Sequence, residues 1–123
     1  MHDGDVSRTT GASGRIEELT LAEIKALRTK GHGVPIPTAA DLFAYFKDKP
    51  DVTLLLEMKT SEQKLYPDER LELYCRLLND SARATLPAGT YCFTSFDRRS
   101  LAQMKRVSTV TVVVLPTGIK VCS

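Results

Sequence analysis

The sequence predicts an α/β fold built on a parallel sheet, and three observations carry that expectation. Short apolar runs at Val52-Thr53-Leu54-Leu55-Leu56 and from Val110 to Leu115 lie between turn-forming residues, too short for helices and suited to strands buried on both faces. Longer amphipathic segments with N-terminal capping residues alternate with them. The resulting order, strand, helix, strand, helix, strand, needs crossover connections, and crossovers join parallel neighbours.

Taken in order, the first regular element is a helix. Thr20-Leu21-Ala22-Glu23 has capping-box spacing, Leu21, Ile24 and Leu27 share one helical face, and Gly31 stands where a helix would end. After Gly31-His32-Gly33 and two prolines, Thr38-Ala39-Ala40-Asp41 offers a second N-cap before Leu42, Phe43 and Phe46. That helix should run to about Lys47. Pro50-Asp51 turns the chain into the first strand, Val52 to Leu56. A long helix is expected from Asp68 to Ala84, with Leu71, Tyr74, Leu77 and Leu78 inward. A strand follows from about Thr90 to Thr94. Asp97 can cap a helix running through about Val107, with Leu101 and Met104 on its packing face, and Val110 to Leu115 supplies the third strand.

The composition bounds the function. A chain of 123 residues, 42% hydrophobic and 26% charged, is ordinary for one domain with one core. A net charge of +2, with basic and acidic residues interspersed, disfavours a nucleic-acid partner. Phe and Tyr are scattered among apolar positions and read as core rather than as a stacking platform. Cys75, Cys92 and Cys122 are odd in number and widely spaced, which fits neither a disulfide framework nor a Cys-x-x-Cys metal site, so they read as reduced packing residues. No apolar stretch preceded by positive charge marks a leader or a transmembrane segment, and the expected location is the cytoplasm. No internal repeat or linker-like shift divides the chain.

Chemistry concentrates at the end of the first strand. In Thr53-Leu54-Leu55-Leu56-Glu57-Met58-Lys59, alternation sends Thr53, Leu55, Glu57 and Lys59 to one side and Leu54, Leu56 and Met58 to the other. Both charges then share a face at the strand's C-terminal end, where parallel α/β barrels carry their active sites. A carboxylate there offers oxygen ligation for a hard cation, and an ammonium can offset a phosphate oxygen. By residues alone, a local ion pair at a strand end is the default reading of the two. Arg8, Thr9 and Thr10 are suited to organising a loop through side-chain bonds, Asp3 to capping or orienting it, and His32 between two glycines reads as a surface loop residue.

The opening run Met1-His2-Asp3-Gly4-Asp5-Val6-Ser7-Arg8-Thr9-Thr10-Gly11-Ala12-Ser13-Gly14 sets a His-Asp pair ahead of Arg-Thr-Thr and a glycine-closed loop. With the loop and capped helix through Leu27, the Ile36-Pro37-Thr38 turn, Leu56-Glu57-Met58-Lys59 and Ser95-Phe96-Asp97, this sequence resembles the glycerophosphodiester phosphodiesterases over nearly its whole length. The resemblance implies an α/β barrel. A complete barrel takes about 250 residues, so three strands imply a partial TIM barrel; the pattern alone also admits a short doubly wound sheet. It further implies metal-dependent hydrolysis of glycerophosphodiesters to glycerol 3-phosphate and an alcohol. In that scheme Glu57 is a ligand of Mg²⁺ or Ca²⁺, Lys59 contacts phosphate, and His2 is similar to the second of the family's two catalytic histidines.

The family's opening His-Arg-Gly motif and its Glu-x-Asp metal pair are absent from this sequence. The expectation is therefore a central fragment of such a domain, residues 1–123, inactive by itself and cut from a complete hydrolase. A short product acting as a non-catalytic phosphate-binding or interaction module is the alternative. Either way, an open sheet leaves an unpaired edge through which the chain is expected to self-associate.

Overall fold

The computed structural model describes residues 3–114, which fall into two compact units, one ending at Thr38 and one beginning at Ala39. The second holds the sheet. Its elements are α3 (Ala39–Phe46), β1 (Leu54–Glu57), α4 (Asp68–Thr85), β2 (Tyr91–Ser95), α5 (Arg98–Val107) and β3 (Val112–Val114), following α1 (Ser7–Thr10) and α2 (Leu21–Ala26) of the first unit. The sheet order is β1-β2-β3, parallel throughout, with Leu54 opposite Tyr91, Glu57 opposite Thr94 and Thr94 opposite Val113.

One face of the sheet is the core. Leu56, Met58, Tyr91 and Phe93 pack with Phe43 of α3, Leu71, Cys75 and Ala82 of α4, and Leu101 and Met104 of α5. Tyr91 and Phe93 meet edge to face at 5.7 Å. The opposite face is open at its flanks, where Leu55 is 66% exposed and Val113 40%, while Thr94 on the central strand is buried. Burial on both faces, expected for Val52 to Leu56, is therefore corrected to one-sided burial, and the third strand is a short edge rather than a buried one. The reason is that helices of an α/β barrel cover only its outer face, and the inner face is closed by further strands. Leu115 lies outside the described residues.

Helix α4 corrects a second expectation. Its buried positions are Leu71, Cys75, Asn79 and Ala82, with Tyr74 and Leu78 half-buried beside them, whereas Leu77 is 60% exposed. At 100° per residue Leu77 stands about 240° around from Leu71, off the stripe that the i, i+4, i+8 and i+11 positions define. Cys75 and Cys92 are free thiols, one buried and one half-buried, as packing residues should be; Cys122 is outside the described residues. Cys75 donates weakly to the Ser100 carbonyl at 3.7 Å. Burial pushes its thiol up to about 11, and burial, reinforced by the nearby Tyr66, Cys75 and Glu57 charges, pushes Tyr74 up to about 12. No helix among the described residues is long and apolar enough to cross a membrane.

The first unit combines local polar bonds with a longer tie, Lys30 N donating to the Thr9 carbonyl at 2.8 Å. Its α1 (Ser7–Thr10) is a single turn, closed by Gly11 at φ +79°, a left-handed conformation that glycine adopts without a Cβ clash. Thr10 Oγ1 donates to the Val6 carbonyl at 2.8 Å, Thr9 Oγ1 donates to the same oxygen at 3.4 Å, and Arg8 Nε bonds Asp3 at 2.5 Å. The loop organisation assigned to Asp3, Arg8, Thr9 and Thr10 is thus present. The Ser7 hydroxyl and amide both donate to Asp5 and hold its carboxyl below the usual range. In α2 (Leu21–Ala26) the reciprocal Thr20–Glu23 capping box forms, but the helix ends at Leu27, four residues before Gly31. Thr29 N donates to the Val34 carbonyl and Gly33 N to the Thr29 carbonyl, so Gly31 (φ +82°) turns a tight loop instead of terminating a helix. His32 is exposed, as expected.

Two measurements test this packing. Leu71→Ala is expected to cost about 2–5 kcal/mol in urea unfolding and Leu77→Ala less than about 0.5 kcal/mol; equal losses would contradict the burial stripe. The fold also favours neutral Cys75 and Tyr74. Below pH 9.0, the ordinary thiol value, both are protonated folded or unfolded, so their contribution is intact; as pH rises toward 11 and 12 the unfolded chain ionises first and stability falls. A Cys75→Ala variant should show a shallower loss over pH 9 to 11.

Candidate functional site

Glu57 closes β1 and Lys59 follows two residues later, so the pleat that buries Leu56 and Met58 turns both charges to the open face of the sheet. Their side chains are 33% and 43% exposed, with Lys59 Nζ 3.9 Å from Glu57 Oε2. That separation is too long for a hydrogen bond, and a pair this wet contributes about 0–1 kcal/mol. The sequence therefore places the charges correctly, and their mutual attraction is too weak to hold them rigidly. Rigidity comes from the backbone on either side of Lys59.

Met58 N donates to the Thr94 carbonyl at 2.8 Å, and Ser95 Oγ donates to the Met58 carbonyl at 2.6 Å. One residue beyond Lys59, Thr60 Oγ1 donates to Asp97 Oδ2 at 3.0 Å and Arg99 Nη2 donates to the Thr60 carbonyl at 3.2 Å. Asp97 is shared three ways: Oδ1 accepts from the Arg99 amide at 2.9 Å as the N-cap of α5, and Oδ2 takes both Thr60 and Arg99 Nη2, the latter at 2.9 Å. Arg99 Nη1 continues to the Tyr66 carbonyl at 3.0 Å. The Asp97 side chain is only 8% exposed, so its charge depends on these donors.

Sequence reasoning found Asp97 as a helix cap and missed Thr60, Ser95 and Arg99 as its partners. The cap is a local signal; the bond from Ser95 to Met58 and that from Thr60 to Asp97 each span 37 positions, and the arginine's bond to Thr60 spans 39. His2, the sequence-derived proton carrier, lies outside the described residues, so only Glu57 and Lys59 of the three assigned residues are brought together here. A hard divalent cation draws on six or more oxygens. Among the described residues no three His, Cys, Asp or Glu side chains converge, and Glu57 alone does not make such a site.

The network is open to a direct stability test. Asp97→Ala removes the cap and strands the Thr60 hydroxyl and the Arg99 guanidinium, with an expected cost of about 2–4 kcal/mol in urea unfolding; Thr60→Val should cost about 1 kcal/mol. Asp97→Asn should fall between wild type and Asp97→Ala. An Asp97→Ala variant as stable as wild type would refute the arrangement.

Among curated proteins, none matches the chain. A crystal structure of a provisionally named glycerophosphodiester phosphodiesterase from Galdieria sulphuraria is similar at a TM-score of 0.60 and 23% identity, over 93% of this chain and 44% of that one. The likeness is one of fold: three parallel strands in an open sheet, flanked by helices, form part of an α/β barrel, and the chain spans less than half the length of that neighbour. The sequence model of the glycerophosphoryl diester phosphodiesterase family matches residues 1–120. With nearly every residue inside that match, the chain belongs to the glycerophosphoryl diester phosphodiesterase family.

Proposed function

We propose that residues 1–123 are the central part of a hydrolase domain that converts glycerophosphodiesters to glycerol 3-phosphate and an alcohol. The observation that carries this reading is the pairing of Glu57 and Lys59 on one face at the C-terminal end of a parallel strand, in a chain matched to the family over residues 1–120. In that role Lys59 offsets the phosphate charge and Glu57 contributes one oxygen donor to a Mg²⁺ or Ca²⁺ site whose other donors come from outside the described residues. His2 serves as the proton carrier, since a diester's alkoxide leaves poorly until protonated and imidazole titrates near neutrality. The Asp97 network acts beneath them by fixing the backbone that carries Lys59. The cytoplasm remains the proposed location.

The open face of the sheet, with Leu55 and Val113 exposed beside Glu57 in the register, is also proposed as the surface through which isolated chains self-associate. Sedimentation over a range of concentrations reads this directly, and a persistent monomer would refute it.

For the site itself, two substitutions in the intact hydrolase are expected to behave differently. Glu57→Gln keeps side-chain size but removes the charge a hard cation requires, so metal affinity should drop and activity should recover partly at high metal. Lys59→Met should lower activity by about tenfold or more with little change in metal affinity. Residues 1–123 alone should show no appreciable hydrolysis of glycerophosphocholine. Unchanged rates in both variants would leave Glu57 and Lys59 as a structural ion pair.

A further inference from the structure

The end of the sheet opposite Glu57 carries a second concentration of charge. Helices α4 and α5 run antiparallel to the strands they connect, so their C-terminal ends meet at the N-terminal side of the sheet. There a cavity of about 200 Å³ is lined by Arg83 in the last turn of α4, Lys105 and Arg106 in the last turn of α5, and the hydroxyl residues Ser108 and Thr109 leading into β3. Its inner wall is Asn79, which is 4% exposed and whose Nδ2 spans from the Val107 carbonyl to Asp80 Oδ1, both at 3.3 Å. No carboxylate is among the lining residues.

Cations at helix C-termini ordinarily complement the helix dipole, and that explanation falls short here. Each helix end presents about half a negative charge. Two ends together with Asp80, which sits outside the lining, leave about one positive charge of the three uncompensated. Arg106 Nη1 donates to the neutral Gln103 Oε1 at 3.4 Å, and the same residue also borders a neighbouring hollow with Glu69 and Glu72. Three exposed cationic residues border this space of about 200 Å³, which is enough for a tetrahedral oxyanion and its water and too small for an extended organic ligand.

We propose that this cavity binds a phosphate group, held by Arg83, Lys105 and Arg106 with Ser108 and Thr109 as hydroxyl donors. Guanidinium and ammonium groups bordering one cavity suit a multiply charged oxyanion with several acceptor oxygens, whereas a single carboxylate would leave cations unmatched. The site stands apart from the chemistry at Glu57 and does not depend on hydrolysis. The phosphate group can belong to a free anion or to a lipid headgroup.

The test uses the whole chain. Inorganic phosphate is titrated while the amide resonances of Ser108, Thr109 and Val110 are followed, with acetate as a singly charged comparison, and vesicles with and without phosphatidic acid are assayed in parallel by co-sedimentation. Arg83→Gln and Lys105→Gln change exposed side chains and should leave the fold intact, as circular dichroism can verify; Arg98→Gln, at the far end of α5, is the control. A saturable phosphate response, weakened about fivefold by each pocket substitution and unaffected by Arg98→Gln, supports a free anion. Binding only to phosphatidic acid vesicles, lost in the Arg83→Gln/Lys105→Gln double variant, supports a lipid headgroup. No saturable response to either, or binding unchanged in the double variant, overturns the proposal.

Discussion

The carboxylate of Asp97 is the interaction on which the ordered end of the sheet depends. A buried charge is tolerated only when donors surround it, and here the donors come from three places: the Arg99 amide, the Arg99 guanidinium and the Thr60 hydroxyl. Because Thr60 follows β1 while Asp97 follows β2, satisfying one carboxylate ties together two loops far apart in the chain. Ser95 completes the tie by donating to Met58 and accepting from the Asp97 amide. The two residues that carry the proposed chemistry are themselves joined only loosely, and they inherit their position from this neighbouring, better-buried cluster.

The two faces of the sheet obey different constraints. On the helix-covered face, burial of Leu56, Met58, Phe93, Leu101 and Met104 supplies most of the apolar driving force. On the open face, Glu57 keeps the hydration that its charge needs, at the cost of leaving Leu55 and Val113 in contact with water. A parallel sheet whose second face is polar at one end and apolar along its length is suited to enclosure by further strands, with the polar end left at the mouth.

Charge is likewise divided between the two ends of the strands. At the C-terminal end, acid and base are mixed and cross-linked by Asp97; at the N-terminal end, Arg83, Lys105 and Arg106 gather without a carboxylate among them in the cavity wall. The antiparallel course of α4 and α5 makes this division unavoidable, because each helix must deliver its basic last turn to the end away from the strand C-termini.

Local grammar in the sequence determined much of the molecule. The Thr20 capping box, the Asp97 cap, the turn at Pro50-Asp51 and the alternation at Glu57 and Lys59 each depend on a few neighbouring residues, and each appears where the sequence puts it. Family membership was legible for the same reason, in short runs such as Leu56-Glu57-Met58-Lys59 and Ser95-Phe96-Asp97. Tertiary structure alone decided that Leu77 faces water, that Leu55 and Val113 remain uncovered, that Gly31 turns a loop, and that Thr60, Ser95 and Arg99 meet at Asp97. Periodicity names a helix's apolar stripe but leaves its edges open, and an apolar strand reads alike whether one face or two are covered. The bonds around Asp97 join residues up to 39 positions apart, and only the folded sheet, with its parallel register, brings them within reach.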